Sequence, residues 1–168
     1  MELYLFIRDR SYFTDMLRIR KMLREDIPVM LKIEKECFSV PWTEPMFLQE
    51  INQQYAFVAE LDEQLVGFIC GWKLADEFHI TNIAVKPSHQ NNKLGEHLLH
   101  YVLKQIGDSE FSFVLLEVRK ANVQARGFYK KHGFKEIGVR KNYYSDPKED
   151  AIIMSRKVSK IINCNIPI

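Results

Sequence analysis

The sequence predicts a single α/β domain built around one mixed sheet, and three observations carry that prediction. Apolar runs with strand character alternate with segments of helical periodicity along the chain. One such run, residues 80–85, passes through a proline and a polar turn straight into a helix. The 168 residues hold no repeat or low-complexity stretch and suit one domain with a sizeable core.

Taken in order, residues 1–16 form an N-terminal extension that could be a strand, a short helix or a loose arm. Residues 16–23 alternate partly, with Ile19 among basic side chains, and read as the first strand of a domain spanning 17–158. A helix follows, with Asp26 as N-cap, Pro28 in its first turn, and Met30, Leu31, Ile33 and Phe38 as apolar positions. Ser39-Val40-Pro41-Trp42-Thr43 breaks that helix. Thr43 opens another, with Phe47, Leu48 and Ile51 inward and Glu44 and Glu50 on the polar side. Residues 56–61 and 65–74 read as strands joined by a turn at Asp62-Glu63-Gln64, and Gly67 and Gly71 point to close packing or a bulge. Ala75-Asp76-Glu77 turns into a strand over 78–85.

Past Pro87 the chain runs through a polar loop into a helix whose Leu94, Leu98, Leu99, Val102, Leu103 and Ile106 recur every three or four residues. Residues 113–118 form a continuous apolar strand, which predicts burial on both faces and a central place in the sheet. Asn122 caps the next helix, which carries Ala125, Phe128 and Tyr129 on its apolar face, a basic last turn, and Gly133 at its end. Residues 134–139 read as a strand, 141–149 as a polar loop, and the last strand begins at 151. Residues 159–168 are left as a C-terminal tail.

Bulk composition excludes several classes. Apolar residues make up 46% and charged residues 27%, ordinary for a soluble globular protein, and a net charge of +2 gives no argument for nucleic acid. Cys37, Cys70 and Cys164 are odd in number and far apart, so neither a disulfide framework nor a zinc site is expected, and a reduced cytoplasmic setting fits. His79, His89, His97, His100 and His132 form no metal pattern with acids at useful spacing, so no metal is expected. No apolar run reaches the length of a membrane span.

Strand, tight polar loop and helix start together point free backbone N–H groups at an anion, and the helix dipole adds to the attraction. The natural guest is a phosphate or pyrophosphate. The loop lacks the Gly-Lys-Ser/Thr of a Walker A motif and all but one glycine of the dinucleotide fingerprint. Gln90-Asn91-Asn92-Lys93-Leu94-Gly95 instead resembles the acetyl-CoA loop of the GNAT superfamily of N-acetyltransferases, Gln/Arg-x-x-Gly-x-Gly/Ala, with Lys93 at the central glycine. Further pieces agree: Asn82-Ile83-Ala84-Val85-Lys86-Pro87, Leu115-Leu116-Glu117-Val118-Arg119-x-x-Asn122, Phe128-Tyr129-x-x-x-Gly133-Phe134, and Arg140-x-Asn142-Tyr143-Tyr144. Glu149-Asp150-Ala151-x-x-Met154 and an early Pro41-Trp42 complete a set that resembles RimI-type ribosomal-protein-alanine N-acetyltransferases over about residues 22–158.

The resemblance implies a largely antiparallel mixed sheet flanked by helices, acetyl-CoA as co-substrate, and transfer of its acetyl group to a protein N-terminal α-amine, first of all the N-terminal alanine of a small-subunit ribosomal protein. The chemistry needs a neutral amine, a donor for the oxyanion and a proton for the departing thiolate. By resemblance Glu117 is the proton acceptor; a carboxylate in water is a weak base and needs a desolvated setting or a relay water. A strand-end glutamate can equally serve an ion pair with Arg119 or a lysine. Tyr129, by resemblance, protonates the thiolate, although a tyrosine on an apolar helix face is also ordinary packing. Ile83, Ala84 and Val85 are expected to offer backbone groups to the pantetheine, and Gln90, Asn91, Asn92, Lys93, Leu94, Gly95 and Glu96 to take the pyrophosphate. Asn122 can cap its helix, touch CoA, or do both. Trp42, Tyr143 and Tyr144 are candidates for the acceptor peptide; as alternatives, Trp42 caps the core and the two tyrosines pack a hairpin. Rival functions are acetylation of another amine (a different N-terminus, lysine, a polyamine or an antibiotic) and a catalytically weak acyl-CoA-binding module. The oligomeric state is not legible.

Overall fold

The computed structural model describes residues 3–8, 14–107 and 111–158. Cys164 and the tail 159–168 lie outside them. The chain begins with a hairpin, β1 (Leu3–Arg8) against β2 (Thr14–Lys21), so part of the N-terminal extension is a strand. Then come α1 (Ile27–Cys37), α2 (Glu44–Asn52), β3 (Phe57–Leu61), β4 (Gln64–Leu74), β5 (Glu77–Val85), α3 (Leu94–Gly107), β6 (Phe113–Arg119), α4 (Val123–Lys131), β7 (Lys135–Ser145) and β8 (Lys148–Lys157). The eight strands among the described residues share one sheet in the order β1-β2-β3-β4-β5-β6-β8-β7. The pair β5/β6 is parallel and the other neighbours are antiparallel.

Strand alternation builds a core on each face. Val58, Phe68 and Cys70 point to the side covered by Met30, Ile33 and Phe47 of the first two helices. Phe57, Ala59 and Ile69 point to the side covered by Leu94, Leu98, Leu99, Val102, Ile106 and Tyr129 of the last two. Both expected glycine contacts are real. A Cβ on Gly67 would sit 2.8 Å from the Ala84 carbonyl oxygen and 3.3 Å from Leu98, and Gly71 lies beside the Phe78 ring where the β4/β5 register shifts.

Four local expectations need correction. Asp26 precedes α1 but makes no side-chain cap; its carboxylate accepts from Leu23 N–H (2.7 Å) and pairs with Arg20 (2.7 Å), tying β2 to the helix start. Glu50 is buried rather than on a polar face. In β6 only Val114, Leu116 and Val118 are buried while Phe113 is exposed, so the strand alternates instead of burying both faces. Finally, 141–149 is no loop: β7 runs on to Ser145 and turns at Asp146-Pro147 (a cis bond) into β8. Polar composition concealed that strand because β7 lies at the sheet edge, where most of its side chains face water.

Candidate active site

The feature that organises the site is a parting of two parallel strands. β5 and β6 pair only from Glu77↔Phe113 to Ile80↔Leu116, although β5 runs on to Val85 and β6 to Arg119. On its other edge β5 stays paired with β4 as far as Gly67↔Val85. Residues 81–85 therefore have a ladder on one side only, and Ile83, Ala84 and Val85 lie along the slot between the diverging strands. Main-chain groups left unpaired at such an edge are available to an extended, amide-bearing ligand.

At the mouth of the slot the loop has the backbone form of an anion cradle. The Gln90 side-chain amide donates to the Val85 carbonyl (3.0 Å) and folds the loop back on β5. Asn91 (φ 65°) and Lys93 (φ 60°) are left-handed with Asn92 between them, an alternation that turns successive N–H groups toward one concavity. The first bond into α3 is His97 N–H to Lys93 C=O (3.0 Å), so the N–H groups of Leu94, Gly95 and Glu96 precede the helical ladder. Leu94 sends its side chain into the core and contributes to the cradle by its backbone alone. A Cβ on Gly95 would meet only Phe128 and Val85 at 3.9 Å, so the protein's own packing does not demand glycine there. The bare backbone instead leaves room for a phosphate, and the residues fit the group that the sequence implies.

Beyond the end of the ladder with β5 stands Glu117, its side chain about one-fifth exposed and held by Arg140 Nη1 at 3.1 Å. Arg119 is not its partner. That guanidinium pairs with Glu149 (3.2 Å), donates to the carbonyls of Asp146 and Pro147, and lies 4.1 Å over the Tyr144 ring. Tyr144 reaches the Glu117 carbonyl at 3.5 Å and packs edge-on against Tyr143. A bulge aims this pair: between Arg140↔Ala151 and Tyr144↔Glu149, β7 carries three residues and β8 one, with Asn142 left-handed and its N–H bonded to Asp150. Burial pushes the Tyr144 phenol up to about 12.

Tyr129 is 7% exposed, packed against Phe128 and Phe134. Burial first, then the neighbouring Tyr144, raises its phenol well above the ordinary range, so at neutral pH it is a donor. Asn122 does cap α4, accepting from Ala125 N–H at 3.0 Å, and Gly133 ends that helix at φ 82°.

Trp42 sits apart from this group. Its ring packs on Phe47 (5.4 Å, 65°), and its backbone N–H donates to Glu34 (3.0 Å). Glu34, which motif spacing did not single out, is 1% exposed and also accepts from Asn82 of β5 at 3.0 and 3.2 Å. Burial raises its carboxyl above 4.5, against the opposing effect of the Trp42 and Asn82 donors. One buried carboxylate thus fastens α1, the Trp42 turn and the open part of β5 together. The nearby Cys37 thiol, pushed up to about 11 mainly by burial, donates to the Val85 carbonyl at 3.4 Å.

Parted parallel strands, a backbone anion cradle, and a carboxylate and a buried phenol on the elements that follow define an acyl-CoA-dependent transferase of the N-acetyltransferase class. The chain belongs to the acetyltransferase (GNAT) family, whose model matches residues 27–134. It is 40% identical over 139 residues (81% of this chain, 92% of the relative) to a Bacillus subtilis protein provisionally named a ribosomal protein bS18-alanine N-acetyltransferase. It is 33% identical over 137 residues (80% and 93%) to the Escherichia coli ribosomal protein bS18-alanine N-acetyltransferase. The crystal structure of the E. coli ribosomal-protein-S18-alanine N-acetyltransferase superposes with a TM-score of 0.79 at 30% identity, covering 90% of this chain and 99% of that one.

Proposed function

We propose that this protein transfers the acetyl group of acetyl-CoA to a protein N-terminal α-amine, with the N-terminal alanine of a small-subunit ribosomal protein as the first substrate to try. The observation that carries the reading is the parting of β5 and β6 with a phosphate cradle at its mouth and Glu117 on the diverging strand. Residues 83–85 hold the pantetheine amides, and one of their N–H groups meets the oxyanion. The N–H groups of residues 91–96 take the pyrophosphate, with the Lys93 ammonium alongside.

An α-amine has a pKa of about 7.7–8.0, so most of it is protonated at pH 7. Glu117, oriented by Arg140, accepts the proton directly or through one water. Tyr129 supplies the proton that the thiolate needs, because its buried phenol stays protonated. Tyr143 and Tyr144, aimed by the bulge, wall the incoming peptide. Trp42 lines the opposite side only through the turn that Glu34 holds. The names of the relatives support a ribosomal-protein substrate, and such a substrate is met in the cytoplasm; among the described residues no helix is long and apolar enough to cross a membrane.

The test is thiol release from acetyl-CoA with hexapeptides that vary in the first residue, with lysine and spermidine as controls. Wild type is run beside Glu117→Gln and Tyr129→Phe. Turnover on alanine-led peptides, lower in kcat at least ~10-fold in both variants, is expected for general acid–base roles. Turnover confined to the small amines overturns the acceptor assignment; variants equal to wild type overturn the two roles.

A further inference from the structure

The geometry points to a divalent transition-metal site, of the kind that takes Zn²⁺, formed by Glu96 and His100 of α3 and His132 at the end of α4. One ligand atom from each of the three side chains lies within 4.8 Å of the other two. Sequence spacing hides the cluster. Glu96 and His100 are four apart on α3, and so share a face, but His132 arrives from the end of α4.

Two distances favour a metal over a plain surface cluster. His100 Nε2 and His132 Nδ1 stand 3.2 Å apart with their rings nearly perpendicular (83°). Two nitrogens each about 2.0–2.1 Å from one ion at the tetrahedral angle are separated by about 3.3–3.4 Å, so the observed spacing is that of a shared ion as much as of a hydrogen bond. Glu96 adds a hard oxygen and one negative charge. A carboxylate with two imidazoles is a donor set that zinc, nickel and copper accept, and it leaves a fourth position for water. The His132 backbone is fixed independently: its carbonyl accepts from Arg156 Nη1 (2.9 Å), and its ring packs on Phe128 at 4.6 Å. Arg156 and Lys131 bring positive charge near His132, which opposes cation binding.

The site joins the first two turns of α3 to the end of α4. Phe128 links it to Gly95, one residue before Glu96.

The experiment is calorimetric titration of the purified full chain with Zn²⁺, paired with Co²⁺ absorption as a report of coordination geometry. Neither readout depends on acetyl transfer. One equivalent is expected to bind with a Kd of about 1–50 µM and to give the intense visible bands of tetrahedral Co²⁺. His100→Ala and His132→Gln should each weaken binding at least ~10-fold, and His89→Ala, on the exposed loop, should leave it unchanged. Far-ultraviolet circular dichroism checks that the variants are folded. Failure of wild type to bind one equivalent below about 100 µM, or equal binding by wild type and the folded His100→Ala variant, overturns the proposal.

Discussion

Lys93 stands at φ 60° immediately before α3, in a place where the family pattern carries glycine. A left-handed L-residue costs about 1–2 kcal/mol, while glycine avoids that cost but adds about 0.4–1 kcal/mol of unfolded-state freedom. Lys93→Gly should therefore stabilise the chain by about 0.5–1 kcal/mol, raising Tm by about 1–4 °C for a protein of this size. Lys93→Ala is the control, since it removes the ammonium and keeps the strained backbone. The assay is thermal unfolding of both variants without ligand, followed by calorimetric titration with acetyl-CoA. Glycine should melt above alanine, and both should bind acetyl-CoA about two- to fivefold more weakly than wild type, because an exposed ammonium near phosphates contributes little. If Lys93→Gly melts at or below Lys93→Ala, the strain argument is refuted. If Lys93→Gly binds acetyl-CoA more than about tenfold tighter than wild type, about 1.4 kcal/mol, the lysine obstructs the cradle instead of adding to it.

Asn122→Ala removes the 3.0 Å cap on Ala125 N–H, and should cost about 1 kcal/mol and about 2–4 °C in Tm, with Asn122→Ser recovering most of it; equal melting of wild type and the alanine variant would show that the cap contributes nothing. Glu34 has a folded-state pKa raised above 4.5 by burial, so the folded chain keeps its proton to higher pH than the unfolded chain does. The stability linked to that proton is complete below pH 4.5 and is lost as pH rises through the folded value. Urea midpoints of wild type should then fall relative to Glu34→Gln between pH 4.5 and neutrality, and a wild-type-to-variant difference that does not change with pH would remove burial as the dominant influence.

Much of the fold could be read because its signals are local. The strand–loop–helix at β5 and α3, the turn at Asp62-Glu63, the Asn122 cap and the Gly133 stop each depend on a few consecutive residues, and each stands where periodicity and turn chemistry put it. The misplaced elements depend on partners distant in sequence. Lys141 to Ser145 read as loop because polar residues on an edge strand lack an apolar face, and their strand character comes from Glu149 and Lys148 across the turn. Asp26 has the composition of a cap, but Arg20 and the Leu23 N–H compete for its carboxylate and win.

The same division runs through the candidate site. Residues 83–96 form one continuous stretch, so their lying together was legible, whereas the positive φ at Lys93 was not, because a lysine gives no local indication of it. The partner of Glu117 was not legible: Arg119 is nearer in sequence and on the same strand, yet two residues apart on a strand is also the spacing at which Arg119 can instead stack on Tyr144 and reach Glu149, leaving Arg140 from β7 to take the carboxylate. Glu34 did leave a trace. Met30, Ile33 and Glu34 follow the three-and-four spacing of the buried face of α1, so the carboxylate had to enter the core or break the pattern. A buried carboxylate needs donors, and an apolar helix face has none to offer; the Trp42 N–H and the Asn82 amide are what the fold supplies. The acid that periodicity forces inward is therefore the one that ties the Trp42 turn to the open part of β5.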